Sequence, residues 1–202
     1  MKIFCIGRNY SEHAKELGNA VPENPVVFSK PDTALLKNGE DFYLPSFSND
    51  VHHEIELVIR INKVGKNIQE KFARNYFSEV GIGVDFTARD LQAQLKTKGL
   101  PWELAKGFDG SAPIGEFMSI ADIDLSNINF GLKKNGAWVQ KGNTKDMIFS
   151  FDKIISFISQ YFTLKVGDLI YTGTPAGVGP VVIGDKLEGF IEDKSMLNFE
   201  VK

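Results

Sequence analysis

The segment VHHEIELVIRI, residues 51–61, restricts the possible folds of this chain more than any other. Alternate side chains of a strand point to opposite faces, so Glu54, Glu56 and Val58 share one face and apolar side chains dominate the other. Like charges this close repel, and two buried carboxylates must share a proton or bind a cation. Taken alone, the pair is more typical of the water-facing side of a half-buried strand. The segment therefore predicts a strand in a sheet and leaves a cation site open.

Short strand candidates run along the whole chain and predict a sheet-rich core. They lie at residues 1–6, 26–30, 41–44, 53–61, 79–86, 113–118 and 169–172. A hairpin is predicted over residues 130–140, because Asn135-Gly136 supplies the two residues tolerant of positive φ that a type I′ turn requires. A second antiparallel pair, residues 186–191 and 196–201, is predicted to turn at residues 192–195.

The predicted helices are few, and their starts or ends are recognisable. Residues 87–98 stop at Gly99 shortly before a proline, and residues 150–162 follow a Ser150 N-cap and carry an apolar face. Residues 11–17 span about two turns, which is too short for a stable isolated helix because helix nucleation is costly. We expect this last helix to be mobile.

Composition excludes several classes of protein. The chain has 202 residues, enough for a sizeable core, and a single domain over residues 1–202 is predicted. Its 23 Lys and Arg against 26 Asp and Glu give a net charge of -3, and no basic stripe indicates nucleic acid or an anionic membrane as a partner. The single Cys5 and the lack of a signal peptide indicate a reducing cytoplasm. No apolar stretch reaches the ~20 residues of a membrane span.

A second apolar segment, EVGIGVDFTARD at residues 79–90, ends its strand at Asp85, just before a predicted helix. Functional residues gather at strand ends, although an aspartate there can also simply cap the helix. Together with Glu54 and Glu56 it makes three carboxylates, and no thiolate or clear pair of histidine ligands accompanies them. An all-oxygen site suits Mg²⁺, Mn²⁺ or Ca²⁺ rather than Zn²⁺.

Two further motifs carry groups that could act on a ligand. In GRNYSEHAKELG, residues 7–18, His13 and Glu16 are three apart on the short helix, so the carboxylate can orient the imidazole as a general base. A surface histidine with a charged neighbour is the more common outcome of this spacing. The loop YTGTPAGVG, residues 171–179, can aim backbone N–H groups and threonine hydroxyls at an oxyanion, or be a plain turn. It lacks the Lys-Ser/Thr ending of a nucleotide-binding loop.

Two lysines occupy unusual positions. Lys30 in VVFSKPDT and Lys106 in WELAKGFDGSAP stand among apolar or turn residues rather than in a solvated charge run. Either ammonium could contact a carboxylate, although most lysines in proteins are simply solvated. Their local sequence does not decide between contact with a carboxylate and simple solvation.

Taken together, these motifs closely resemble those of the fumarylacetoacetate hydrolase family. They are GRNY with His13 and Glu16, FSKPDT, HHEIEL, GVDFTARDLQ, KGLPWELAKGFDGSAPIG and TGTPAGVG, in the family's order between Ile6 and Gly179. Each piece is weak alone, but so many rarely occur together by chance. The resemblance implies an α+β fold that is predominantly β, a mixed β-roll or sandwich with a few peripheral helices, usually in a homodimer.

The resemblance also implies roles for individual residues. The family's metal ligands, for Mg²⁺ or Mn²⁺, match Glu54, Glu56 and Asp85. Its catalytic pair on a lid helix matches His13 and Glu16. Its substrate contacts match Gln92, Thr174 and Lys106, of which the lysine also serves catalysis. Three basic residues in family motifs have no assigned role: Arg8, Lys30 and Arg89.

Within the family, the short chain, the KGLPW segment and the compact TGTPAGVGP loop look most like the acylpyruvase and oxaloacetate decarboxylase branch. The longer members that cleave fumarylacetoacetate carry an extra N-terminal domain and a further acidic metal ligand, and this chain matches neither. The resemblance therefore implies a metal-dependent hydrolase that cleaves the C–C bond of acylpyruvates or similar 2,4-dioxo acids. Oxaloacetate decarboxylase and 2-hydroxyhepta-2,4-diene-1,7-dioate isomerase are alternative activities. A non-catalytic carboxylate-binding module is the alternative from another class.

Overall fold

The computed structural model describes residues 1–202 except Leu17, Asn19 and Asp122. Its strands are β1 (Ile3–Gly7), β2 (Val26–Lys30), β3 (Leu35–Lys37), β4 (Val51–His53), β5 (Ile55–Ile61), β6 (Phe77–Val84), β7 (Thr87–Ala88), β8 (Ala112–Ser119), β9 (Asn129–Lys134), β10 (Ala137–Asn143), β11 (Leu169–Tyr171), β12 (Gly179–Pro180), β13 (Lys186–Ile191) and β14 (Lys194–Glu200). Its α-helices are α1 (Ser11–Glu16), α2 (Glu70–Ala73), α3 (Arg89–Thr97), α4 (Glu103–Lys106) and α5 (Phe151–Tyr161). Short 3₁₀ turns lie at Asp32–Ala34, Arg74–Tyr76 and Thr144–Asp146.

The described strands form three sheets. The largest has the order β2-β1-β11-β5-β6-β8-β3, and it is mixed, because β1 pairs in parallel with β11 and β3 with β8, while its other neighbours are antiparallel. An antiparallel sheet has the order β10-β9-β13-β14, and a small one has the order β12-β4-β7. The prediction of an α+β fold that is predominantly β is confirmed.

The two larger sheets enclose the main core. On β5, Ile55 and Leu57 point into this core and are fully buried. Gly189 of β13 lies against the same side, since a Cβ at this position would sit 3.3 Å from Ile55 Cδ1. The opposite face of β5 is buried as well, because Val58 packs with residues of β1 and β11 in a second apolar cluster. Neither face of β5 is therefore the water-facing side that Glu54 and Glu56 would suggest if taken alone. The strand predicted over residues 53–61 is interrupted at Glu54, which belongs to neither β4 nor β5.

The strongest local predictions are confirmed. Asn135 and Gly136 have φ values of 53° and 80° and connect β9 to β10, as a type I′ hairpin requires. Helix α5 follows the Ser150 N-cap, whose hydroxyl accepts a hydrogen bond from Lys153 N at 3.2 Å. Strands β13 and β14 also pair, with a tighter turn than predicted, because β14 already begins at Lys194.

One predicted strand is absent from the structure, and one observed strand of the large sheet is not predicted. Residues 41–44 are not a strand, because only Phe42 makes a bridge, with Val201. The Phe42 ring stacks on Phe86 with ring centroids 3.9 Å apart. The Phe42 ring joins the core, and the Phe42 backbone is hydrogen-bonded to Glu200 and Lys202 through this bridge without forming a strand. Strand β3, which the sequence pattern does not predict, pairs in parallel with β8 at the edge of the large sheet. Three residues are too few to show an alternation.

The helix predictions differ from the structure at their ends. The helix predicted over residues 87–98 begins at Arg89, because Thr87 and Ala88 are β7 and pair with β4. Helix α4 is not predicted, since four residues cannot display a helical period. The helix predicted over residues 11–17 is observed as α1, and Leu17 lies outside the described residues. None of the helices in the described part of the chain is long and apolar enough to cross a bilayer.

Candidate active site

Three buried carboxylates meet at the ends of adjacent strands. Glu54 lies in the break between β4 and β5, Glu56 lies in β5, and Asp85 directly follows β6. The pairing of β5 with β6 brings them together, because Ile55 opposes Val84 and Asp85 N donates to Glu54 O at 2.8 Å. One oxygen of each carboxylate lies within 4.8 Å of the others, and all three residues are buried. We call these three residues the acidic trio.

Three cationic side chains contact the acidic trio. Lys106, on α4, donates to Glu54 Oε2 at 2.9 Å and to Asp85 Oδ2 at 2.6 Å. Lys30, at the end of β2, lies 2.8 Å from Asp85 Oδ1 and also donates to main-chain carbonyl oxygens. Arg89, at the start of α3, pairs with Glu54. Both lysines are buried, and both contact a carboxylate. The sequence expectation that either could do so is confirmed for both.

The carboxylates differ in their electrostatic surroundings. Burial favours the neutral acid at Glu54. The charges of Lys106 and Arg89 outweigh this effect and hold the pKa of the Glu54 carboxyl well below its usual range. Burial and the nearby Asp85 charge raise the pKa of Glu56, and the hydrogen bond from Gly173 N at 2.7 Å lowers it only in part. Burial alone would lower the pKa of Lys106, yet Asp85 and Glu54 raise it above its usual value. Glu56 is thus the least compensated member of the trio.

The acidic trio fits a hard divalent cation. Its donors are carboxylate oxygens, which Mg²⁺ and Mn²⁺ prefer. Lys106 compensates Glu54 and Asp85, whereas the buried Glu56 carboxyl has a raised pKa and needs a proton or a cation. A divalent cation among the three carboxylates would supply that charge. These residues could therefore hold Mg²⁺ or Mn²⁺.

Helix α1 brings the predicted general base to the same cleft. His13 is buried, and its Nδ1 lies 3.2 Å from Glu16 Oε2, so His13 is not the surface histidine that this spacing most often gives, although Glu16 itself is exposed. Because a carboxylate only accepts, Nδ1 carries the proton, and Nε2 of the neutral ring is the basic nitrogen. Glu16 also accepts a hydrogen bond from Gly177 N at 3.1 Å, which joins α1 to the loop of residues 171–179.

The predicted substrate contacts Gln92 and Thr174 line this cleft together with further basic residues. Gln92 Oε1 accepts from the Arg89 guanidinium at 2.8 Å. Arg8 and Lys96 also line the cleft. Burial lowers the pKa of Lys96, and the charges of Arg8 and Arg89 lower it further, as expected where cations crowd together. This crowding is typical of a cleft that receives an anion.

Comparison with known proteins identifies the family. The family model described as the C-terminal domain of fumarylacetoacetate (FAA) hydrolase matches residues 2–202. This chain belongs to the fumarylacetoacetate hydrolase family. A relative named oxaloacetate tautomerase FAHD1, mitochondrial, from Arabidopsis thaliana is 46% identical over 202 residues, which are 100% of this chain and 91% of that protein. Oxaloacetate tautomerase YcgM from Escherichia coli (strain K12) is 43% identical over 188 residues, 92% of this chain and 86% of that protein.

A solved structure from the fumarylacetoacetate hydrolase family has the same fold. It is fumarylpyruvate hydrolase from Pseudomonas aeruginosa in complex with Mn²⁺ and pyruvate, with a TM-score of 0.94 at 35% identity, covering 100% of this chain and 89% of that chain. The predicted family and fold are therefore confirmed. The homodimer and the cytoplasmic location stay predictions, and the relatives include proteins from bacteria and proteins named mitochondrial.

Two residues of this site are missing from the set that family resemblance indicates. Lys96 follows Gln92 by four residues on α3, and residues at this spacing share a helix face, so the helix prediction contained the signal. Gln140 is buried in the hairpin and donates to Thr174 Oγ1 at 2.9 Å. This contact joins residues 34 positions apart, and no local pattern indicates it.

Proposed function

We propose that this protein interconverts the keto and enol forms of oxaloacetate or of a closely related 2-oxo dicarboxylate. The charge of the cleft carries this proposal. Four basic side chains line it together with the three carboxylates of the acidic trio; they belong to Arg8, Arg89, Lys96 and Lys106. The cleft is thus positive even before a divalent cation adds two further charges. Such an excess favours a dianion over a monoanion.

The relatives support the same substrate class. Both curated proteins described above are named oxaloacetate tautomerases, and they match nearly the whole of this chain. The pyruvate in the solved fumarylpyruvate hydrolase complex is itself a 2-oxo acid. We therefore assign this chain a 2-oxo acid as substrate and oxaloacetate as the first compound to test.

Tautomerisation moves one proton between C3 of the keto acid and the oxygen on C2. His13 Nε2 removes the C3 proton, because Nδ1 is engaged by Glu16. Lys106 and Thr174 line the same cleft and stabilise the negative charge that develops on the C2 oxygen and the adjoining carboxylate. His13 then returns the proton to the oxygen, so atoms and charge balance without water or a redox partner. Mg²⁺ or Mn²⁺ on the acidic trio would add Lewis-acid polarisation of the keto group.

Hydrolysis of an acylpyruvate, the activity that the sequence resemblance favours, is the second candidate. The solved fumarylpyruvate hydrolase in complex with pyruvate favours it, since pyruvate is the product that such a cleavage releases. Here His13 Nε2 would take a proton from water instead of carbon, the hydroxide would add to the distal carbonyl, and the C–C bond would break to release pyruvate enolate. Decarboxylation of oxaloacetate and isomerisation of a hydroxydienedioate pass through related enolates.

The test follows the enol of oxaloacetate directly. Metal-stripped protein is mixed with enol-rich oxaloacetate, and the loss of enol absorbance in the ultraviolet is measured with Mn²⁺ or with EDTA. Pyruvate is assayed in the same sample and in a parallel sample that contains acetylpyruvate. We expect Mn²⁺-dependent enol loss above the rate of a protein-free sample with the same Mn²⁺, and no more pyruvate than that sample releases.

The other outcomes separate the remaining activities. Pyruvate released from acetylpyruvate faster than without protein, with no faster enol loss, would establish the hydrolase in place of the tautomerase. Pyruvate released from oxaloacetate faster than without protein would establish the decarboxylase. No change in either sample would exclude all three and leave the isomerase or the non-catalytic carboxylate-binding module.

A further inference from the structure

We infer that Gln140 is a positioning residue that makes the Thr174 hydroxyl a hydrogen-bond donor to the bound substrate. Gln140 lies on β10 next to a bulge in its pairing with β9, and it is 2% exposed. The inference rests on the proposed function, because that function supplies the anion which Thr174 contacts. It concerns a residue that touches the binding residue and not the substrate.

Backbone partners fix the orientation of the Gln140 amide. Its Oε1 lies 3.0 Å from Ile55 N, a group that can only donate, and its Nε2 lies 3.0 Å from Pro175 O, a group that can only accept. Exchanging the amide oxygen and nitrogen would break both hydrogen bonds and place two oxygens against each other. The orientation therefore follows from the backbone and does not depend on neighbouring side chains.

Two side chains take their hydrogen-bonding roles from this fixed amide. His53 Nδ1 lies 2.9 Å from Gln140 Oε1, so Nδ1 carries a proton. Thr174 Oγ1 lies 2.9 Å from Gln140 Nε2 and accepts that N–H. Because the oxygen accepts, the hydroxyl proton is free to be donated elsewhere. Thr174 lines the cleft of the acidic trio, where an anion would be the acceptor.

Gln140 also joins two walls of the cleft. Ile55 lies between Glu54 and Glu56 in the chain, and Pro175 directly follows Thr174. The loop can approach the bulge this closely because position 177 is a glycine with φ of 96°, where a Cβ would lie 2.4 Å from Val139 O. Together with the hydrogen bond from Gly173 N to Glu56, this buried side chain therefore helps to fix the Thr174 hydroxyl relative to the acidic trio.

A double-mutant cycle on ligand affinity tests this inference. The probe is oxalate, a planar dianion that resembles pyruvate enolate, and its affinity for the Mn²⁺-loaded protein is measured by isothermal titration calorimetry. Q140M removes both polar atoms, T174V removes the hydroxyl, and Q140M/T174V combines the two changes. K141Q, at the exposed neighbouring position, is the matched control. Thermal unfolding of each variant and turnover of oxaloacetate are recorded in parallel.

We expect T174V to weaken oxalate binding by about 10- to 100-fold, the usual value of a hydrogen bond to a charged group. Q140M should cause a loss of similar size. The double variant should bind oxalate no more weakly than T174V alone, because both substitutions remove the same donor, the Thr174 hydroxyl. K141Q should bind within about two-fold of the unaltered protein, as surface substitutions usually do. For the case that Q140M does not fold, Q140E keeps the acceptor for Ile55 N but replaces the donor toward Thr174, and the same loss is expected.

Two results would overturn the inference. Normal oxalate binding by Q140M or Q140E would show that Gln140 does not act on the site, and losses that multiply in the double variant would show that it does not act through Thr174. Either result leaves the proposed function standing if the unaltered protein still binds oxalate and turns over oxaloacetate. Absence of oxalate binding to the unaltered Mn²⁺-loaded protein would overturn the inference, and absence of oxaloacetate turnover in the same preparation would overturn the proposed function as well.

Discussion

The acidic trio and helix α1 supply two sides of one cleft, and they are held in different ways. The trio is fixed by the pairing of β5 with β6 and by the buried ammonium groups of Lys30 and Lys106. Helix α1 has six residues, and the hydrogen bond from Gly177 N to Glu16 joins it to the loop beside the cleft. Binding and proton transfer should therefore be separable. Changes in the trio should abolish cation binding, whereas loss of the His13 imidazole on α1 should lower turnover and leave cation binding intact.

The largest effect is expected for Glu56→Gln. The change removes the least compensated charge of the acidic trio, and polarisation by a bound cation is worth several kcal/mol, so turnover should fall by about 10⁴-fold. The rise in Tm that Mn²⁺ produces in the unaltered protein should vanish as well. Thermal unfolding with and without Mn²⁺ measures this. Glu79→Gln, on the neighbouring strand β6 with its carboxylate paired to Arg60 near the surface, is the control that should keep both properties. Full activity of Glu56→Gln in metal-stripped buffer would remove the trio from the mechanism.

His13→Ala should lower turnover by about 10²- to 10⁴-fold, the span expected when a general base is lost. The affinity for Mn²⁺ should stay unchanged, because no contact in the described structure joins His13 to a carboxylate of the acidic trio. Initial rates and a Mn²⁺ titration on the same preparation check both statements. An unchanged rate would exclude His13 as the base, and a parallel loss of Mn²⁺ binding would contradict the separation of the two sides.

Glu16→Gln should have an intermediate effect. The carboxylate orients His13 Nδ1 and accepts from Gly177 N, and a charge-assisted hydrogen bond is worth about 1.5–3 kcal/mol, so turnover should fall about 10- to 100-fold. The measurement is kcat for oxaloacetate at saturating Mn²⁺. A loss as large as that of His13→Ala would show that Glu16 sets the tautomer outright, and no loss would show that the pair is incidental.

The smallest effect is expected for Glu12→Gln on the same helix. Glu12 pairs with Lys15 at 2.7 Å, but both side chains are exposed, and such surface pairs contribute little. Turnover should stay within about two-fold of the unaltered rate. A larger loss would mean that any disturbance of α1 impairs the site. The losses caused by His13→Ala and Glu16→Gln could then not be assigned to proton transfer.

Local pattern predicts the parts of this site that lie within one element. Alternation predicts that Glu54 and Glu56 point to the same side, and they do although Glu54 directly precedes β5; a strand end marks Asp85, and helical spacing pairs His13 with Glu16. Asn135 and Gly136 both tolerate positive φ, and they predict the hairpin because the backbone angles of these two residues decide the turn.

Contacts between distant elements are beyond such patterns. The period of a strand says which side chains share a face, but it does not say that β11 lies between β1 and β5, or that Lys30 reaches Asp85 across the sheet. The same holds for Gln140, whose partners on β5 and in the loop of residues 171–179 depend on how the hairpin packs. Family resemblance bridges this gap for Lys106, and it supplies nothing for Gln140.

The central claim is that the acidic trio holds the cation while α1 supplies the base, and a Mn²⁺ titration of metal-stripped protein tests it most directly. Free Mn²⁺ is followed by electron paramagnetic resonance for the unaltered protein, Glu56→Gln and His13→Ala, and oxaloacetate turnover is measured on each sample. We expect the unaltered protein and His13→Ala to bind Mn²⁺ with equal affinity, Glu56→Gln to bind none in the same range, and turnover in both variants to be at least about 10²-fold below that of the unaltered protein. Equal Mn²⁺ binding by Glu56→Gln and the unaltered protein would contradict the claim.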